Sequence, residues 1–106
     1  MKCGKLVRDN VCFIIEEEGG TTECRVLTDK EYKCELIKKM HEDTDKYSEN
    51  CSLDNLANMW EVFRNIIKDS EFKFSDVLRT AMKKREESGS FTNKIYLESF
   101  DMNGIE

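Results

Sequence analysis

Glu35-Leu-Ile-Lys-Lys-Met-His-Glu-Asp-Thr-Asp-Lys-Tyr47 is followed, after a short polar break, by Ser52-Leu-Asp-Asn-Leu-Ala-Asn58. At 100° per residue, Leu36, Met40 and Tyr47 fall within about 40° of one another, which is one helical stripe. Asp43 lies on that stripe, while Glu42 and Lys46 lie together on one flank. An acid centred on an apolar face costs free energy unless something pairs with it. Two readings follow. In the first, Asp43 is held at the edge of a core by Lys46 or Lys39. In the second, it is a carboxylate aimed at a shared polar pocket. Paired acids are the usual outcome, which favours the first.

The second half of the stretch opens a helix that is apolar on two sides. Leu53, Leu56, Ala57, Trp60, Phe63 and Ile67 make one stripe; Met59, Val62 and Ile66 make another, with Asn55 on it. Such a helix is central and packs on both sides. In a short chain, its second stripe calls for a partner subunit. Asn58 lies at the edge of the polar strip formed by Asp54, Glu61 and Asn65.

Working outward, Lys5 to Glu18 reads as an opening helix with Val11, Ile14 and Ile15 as its buried stripe, stopped by Gly19-Gly20. Lys5 and Arg8 stand at its start, the end that prefers anions. They either recruit an anion or are simply solvated. Residues 23–27 read as a short strand or extended linker. Thr28-Asp29-Lys30-Glu31 is a capping box for the first central helix. Asn50 to Ser52 breaks that helix, and Ser52 caps the next. Asp69 to Lys73 breaks again. Ser75 and Asp76 start a last helix with Phe74, Val77, Leu78, Ala81 and Met82 on its buried side, ending in Lys83-Lys84-Arg85. The extended piece Lys94-Ile-Tyr-Leu97 is expected to pair with residues 23–27. One domain is expected over residues 1–100, with a loose tail at 101–106.

The composition narrows the function classes. The chain has 106 residues, enough for one modest core, with 37% charged and 39% apolar residues. A net charge of −5 argues against nonspecific nucleic-acid binding as the main task. No apolar run reaches the ~20 residues of a membrane span. The N-terminus has no signal-peptide core. A cytoplasmic setting is therefore expected. The five cysteines, Cys3, Cys12, Cys24, Cys34 and Cys51, are scattered without a Cys-x-x-Cys pair. Their odd count and wide spacing fit reduced thiols better than a disulfide framework or a zinc site. His41 is the single histidine and projects away from the Leu36 stripe, which excludes most zinc and Ser-His schemes.

Lys5-Leu-Val-Arg-Asp9 followed by Ile14-Ile15 resembles the opening Lys-Leu-Val-Arg-Asp-Lys-Ile-Pro-x-Ile-Ile of small proteins in the MazG-like, phosphoribosyl-ATP-pyrophosphohydrolase-like superfamily. Further pieces agree in order: Arg25-Val-Leu-Thr-Asp-Lys-Glu-Tyr32, then Glu35-Leu36 with Lys38-Lys-Met-His-Glu-Asp43, then Leu53-Asp-Asn-Leu-Ala57 with Glu61-Val62. Lys83-Lys-Arg-Glu-Glu-Ser-Gly-Ser-Phe91 and Lys94-Ile-Tyr-Leu97 close the set. The resemblance implies an all-α helical bundle of about four helices that works as a homodimer or higher homo-oligomer. It also implies a nucleoside-triphosphate pyrophosphohydrolase using Mg²⁺ held by acids on two neighbouring helices. Mg²⁺ is a hard cation that takes oxygen ligands and neutralises the phosphate chain.

The family's acidic patterns fall on Glu42, Asp43 and Lys46 in the first helix, and on Asn55 and Asn58 in the second. Two acids survive, one is a cation and two are amides. Lys46 is expected to stand in for the metal by pairing with Glu42 and Asp43. Glu61 matches an acid often present in relatives. Lys5, Arg8, Arg85 and Lys94 match basic positions suited to phosphate contacts. Cys12 stands where relatives carry proline. Two functions follow as expectations. One is a divergent Mg²⁺-dependent pyrophosphohydrolase, weak or inactive, with Glu42, Asp43 and Glu61 as its remaining acids. The other is a non-catalytic homodimer, with no cofactor required, that binds a nucleotide or a protein in the old cleft. A purely structural dimer is a third.

Overall fold

The computed structural model describes residues 4–102, and Cys3 and the end of the expected tail lie outside them. Four helices follow in order: α1 (Val11–Glu17), α2 (Asp29–Glu49), α3 (Leu53–Asp69) and α4 (Phe74–Ser88). The all-α class is as the periodicity predicts. The chain divides into two compact units, Met1–Lys73 and Phe74–Glu106, and each is described by itself.

In the first unit, α2 and α3 pack against each other as a hairpin. Both helices start where the caps predict. The Thr28 hydroxyl accepts from the Glu31 N–H at 3.2 Å, and the Glu31 carboxylate accepts from the Thr28 N–H at 3.0 Å. Arg25 adds a two-pronged ion pair to the same carboxylate, at 2.7 and 3.0 Å. This fixes residues 25–28 against the first turn of α2. Ser52 caps α3 by accepting from the Asn55 N–H at 3.1 Å. Lys33 reaches Asp69 at 3.3 Å, tying the start of α2 to the end of α3. Leu36, Val62 and Ile67 are the buried apolar side chains, joined by the buried Asp43. Of the two stripes on α3, the Met59–Val62–Ile66 stripe is covered along its length, and the other is buried only at Ile67. Leu53, Leu56, Trp60 and Phe63 of the other are exposed.

The opening segment departs from expectation. α1 begins at Val11, not at Lys5, so Lys5 and Arg8 precede the helix. The Asn10 side chain makes no capping bond, and the turn closes through Val11 N–H to Arg8 O at 3.1 Å. α1 buries none of its residues: Ile14 and Ile15, read as core, are exposed. It ends as predicted. Gly19 takes φ +94°, which only glycine adopts without strain. Gly20 donates to Ile15 O at 2.9 Å.

That reversal overturns the expectation of reduced thiols at two positions. Cys12 on α1 and Cys24 after the turn form a disulfide, with Cα atoms 6.8 Å apart. Spacing along the chain does not show which cysteines a tight reversal brings together, and the geometric requirement is spatial. Cys34 and Cys51 are free and exposed.

The second unit holds α4 and the extended segment after it. α4 starts one residue before Ser75 and buries none of its residues, so Phe74, Leu78 and Met82 are exposed where a buried side was expected. No strand forms among the described residues, so residues 23–27 and 94–97 do not make the expected β-pairing. Lys94 takes φ 60°, which interrupts an extended run at its first residue. Val26, Ile95 and Tyr96 are almost fully exposed.

Candidate functional site

The positions singled out on α2 and α3 all lie in the first unit. Asp43 is 3% exposed, on the α2 face that carries Leu36. Its carboxylate has an ion pair with Lys39 Nζ at 3.9 Å, one turn back. Of the two partners considered, the structure selects Lys39. Lys46 is exposed and makes no ion pair with Glu42 or Asp43 among the described residues. The expectation that its ammonium neutralises both acids is therefore not met. Glu42 is half-buried on the flank of α2.

Asn55 has a structural task that its amide suits. Its Nδ2 donates to Asn50 O at 2.8 Å and lies 3.4 Å from Lys46 O, a second donor for carbonyls that also accept from the Ser52 and Asn50 N–H groups where α2 ends. A carboxylate has no proton to donate there. Asn58, one turn on, accepts at Oδ1 from Arg8 Nη2 at 3.0 Å. The opening segment is thus pinned to α3 by a guanidinium at one of the positions where the resemblance places a metal-binding acid.

Glu61 continues this strip. Arg64 donates to its carboxylate at 3.1 and 3.5 Å, and Asn65 Nδ2 donates at 2.8 Å. The hydrogen bond from Arg64, then that from Asn65, holds the Glu61 carboxyl below the usual carboxylate range, and the charge of Arg8 adds to this. Tyr32 is half-buried nearby. Burial raises its phenol first, and the negative charges of Asp69, Asp9 and Glu61 raise it further. The sequence reading named Lys39 as a partner for Asp43 and placed Asn65 on the polar strip with Glu61, but did not single out Tyr32 or Arg64. The helical spacing of Arg64 with Glu61 was the available signal. Tyr32 had no local signal, because its acidic neighbours come from residues far along the chain.

The structure thus brings together Arg8, Asn58 and Glu61 on one edge of α3, with Asp43 between the paired helices. Lys5 is exposed. Arg85 and Lys94 belong to the second unit. There Arg85 lines a shallow groove of about 500 Å³ with Ala81, Lys84, Ser88, Gly89, Ser90 and Phe91.

This donor set does not fit Mg²⁺. A hard cation needs oxygen ligands with negative charge. Here Asn58 faces a guanidinium, Asp43 faces an ammonium, and the Asn55 amide is turned to backbone carbonyls. Among the described residues, no three acids, cysteines or histidines form a group able to hold a metal. What the strip offers instead is a fixed cation. The Arg8 guanidinium has five N–H donors, one of them used on Asn58. No family model, no curated protein and no solved structure matches this chain.

Proposed function

We propose that the chain is a divergent member of the MazG-like nucleoside-triphosphate pyrophosphohydrolase superfamily whose cleft binds a nucleoside triphosphate without hydrolysing it. The Arg8–Asn58 contact carries this reading. It puts a permanent cation where the resemblance expects a metal-binding carboxylate. A guanidinium pairs with phosphate oxygens through parallel N–H bonds and supplies charge without a metal. It does not generate a nucleophile from water, which is what a metal site contributes to hydrolysis. Lys5 precedes Arg8 on the same segment and adds a second positive charge.

The test has two arms. Binding of a fluorescent nucleoside triphosphate is measured in EDTA, and pyrophosphate release is measured with Mg²⁺ or Mn²⁺ over a panel of NTPs and dNTPs. The expected result is binding without metal and no release. Arg8→Ala is expected to weaken binding ~10-fold, as loss of a charge-assisted pair. Absence of binding in EDTA overturns the reading.

The second reading is a weak Mg²⁺-dependent hydrolase using Glu42, Asp43 and Glu61. It is favoured by the buried placement of Asp43 between the helices. Pyrophosphate release by the wild-type chain supports it. The combined variant Lys46→Glu, Asn55→Glu and Asn58→Asp restores the expected acids. The Asn55 change also removes the donor to Asn50 O, so this variant is expected to release pyrophosphate at some cost in stability.

No helix of the described residues is long and apolar enough to cross a membrane. A cytoplasmic setting remains part of the proposal.

A further inference from the structure

We infer that the Cys12–Cys24 pair is a reversible redox site whose state sets how firmly Arg8 is held on Asn58. The switch itself does not depend on the nucleotide reading; its effect on affinity rests on that reading.

Two guanidinium anchors flank the pair. Arg25, next to Cys24, donates to the Glu31 carboxylate at 2.7 and 3.0 Å, which ties this end to the first turn of α2. Arg8, one turn before Cys12, donates to Asn58 Oδ1 on α3 at 3.0 Å. The chain between the two anchors is α1 and the turn after it. α1 buries none of its residues, so no core positions Arg8, and its tether does so instead. Along the backbone the tether from Arg25 to Arg8 is about 17 residues long. Through the bond, which sets the two Cα atoms 6.8 Å apart, it is equivalent to about seven. The chance of loop closure falls as the three-halves power of length, so closing the bond raises the effective concentration of Arg8 at Asn58 ~4-fold.

The pair is also placed to open and close. Cys24 is exposed and Cys12 is half-buried, so a small thiolate reaches Cys24 first. It attacks Cys24 Sγ, the bond between the two cysteines breaks, and Cys12 leaves as a thiolate that takes up a proton. A second small thiolate then displaces Cys24 from the mixed disulfide. The pair gains two electrons and two protons, and two small thiols become one small disulfide, which also drives the reverse exchange. Exposed disulfides are the labile ones. In the reducing setting proposed above, a closed pair is transient and redox-sensing. Opening it exposes no buried side chain of α1, so the hairpin survives both states.

The test equilibrates the full chain in a few millimolar glutathione at reduced-to-oxidised ratios from ~1:1 to ~1000:1. Acid quench, alkylation and mass spectrometry of the peptides then read each cysteine. Cys12 and Cys24 are expected to titrate together within this range and to do so reversibly. A pair that stays closed, or stays open, across the whole range overturns the proposal. The side-chain amide signal of Asn58 in NMR reads the Arg8 contact. Reduction is expected to shift it in the wild-type chain and to leave it in place in Arg8→Ala. No shift in the wild-type chain, or the same shift in both, overturns the link to Arg8. Affinity for a fluorescent nucleoside triphosphate in EDTA is expected to fall ~4-fold on reduction. The double variant Cys12→Ser, Cys24→Ser is expected to match the reduced chain in either buffer, and Arg8→Ala to bind equally in both. Equal affinity of the two wild-type forms overturns the effect on binding. Absence of binding in both forms overturns the nucleotide reading instead, and the switch is then decided by the alkylation and the Asn58 signal.

Discussion

The α2–α3 hairpin and α1 lie in the same unit and are held by different means. The hairpin packs α2 on α3, with Leu36, Val62, Ile67 and Asp43 buried, and both helices are capped by side chains. α1 has seven residues, buries none of them and has no side-chain cap. It carries Glu16 and Glu17 in its last turn, where the helix dipole disfavours acids. A helix this short is not stable alone. What holds it is local and covalent: the Cys12–Cys24 bond, the Gly20 N–H on Ile15 O, and a hydrogen bond from the Thr22 hydroxyl to Glu16. Burial makes one element depend on its partner helix; a cross-link lets the other form without a core.

This contrast is easiest to break at Leu36. Leu36→Ala removes a buried side chain and is expected to cost about 2–5 kcal/mol, read as a lower urea midpoint of the α2–α3 signal. Next comes Cys12→Ser. Opening a loop of this size costs up to about 3 kcal/mol on a chain-entropy account. The loss is expected in α1 alone, as faster amide exchange at residues 11–17 with the hairpin midpoint nearly unchanged. A fall of the hairpin midpoint by as much as in Leu36→Ala would sink the division drawn here.

Smaller changes sharpen it. Thr28→Ala removes the capping box of α2 and is expected to cost about 1 kcal/mol by thermal or urea denaturation. Asn55→Asp keeps the shape but removes the donor to Asn50 O, also about 1 kcal/mol. If Asn55→Asp is neutral, the amide is not what holds the helix connection.

The smallest effect is in the acid limb. The hydrogen bond from Arg25, then that from the Thr28 N–H, lowers the Glu31 carboxyl from 4.5 to about 2. The folded value is below the ordinary one, so this contribution is fully present above pH 4.5 and is lost as pH falls from 4.5 toward 2. Glu31→Gln is expected to flatten the stability profile in that window and to lower stability near neutrality, where the wild-type contribution is fully present. Urea midpoints from pH 2 to 7 measure this directly.

Legibility in the sequence followed the range of the interaction. The caps at Thr28 and Ser52 and the stop at Gly19-Gly20 were readable because their hydrogen bonds close within a few residues. The same spacing pointed to Lys39 as one of two partners for Asp43, but not to which of the two. The opening helix was read too long, because Lys5 to Asn10 has helix-compatible residues but is drawn into contact with α3 instead. The buried sides assigned to α1 and α4 failed for one reason: an amphipathic pattern shows that a face is apolar, not that anything covers it. At the candidate site, Lys46, Asn55 and Asn58 at positions where the resemblance expects acids were visible in the sequence. The uses of the two amides were not.

The sequence by itself therefore determined the helical class, α2 and α3 to within a residue, and the start of α4, because each rests on side-chain type and local period. Only the tertiary structure decided which stripe of α3 is covered, that Cys12 meets Cys24, and that Arg8 reaches Asn58 across 50 positions of chain. Those contacts depend on where distant segments come to lie in space, and the spacing of residues along a chain does not encode that directly.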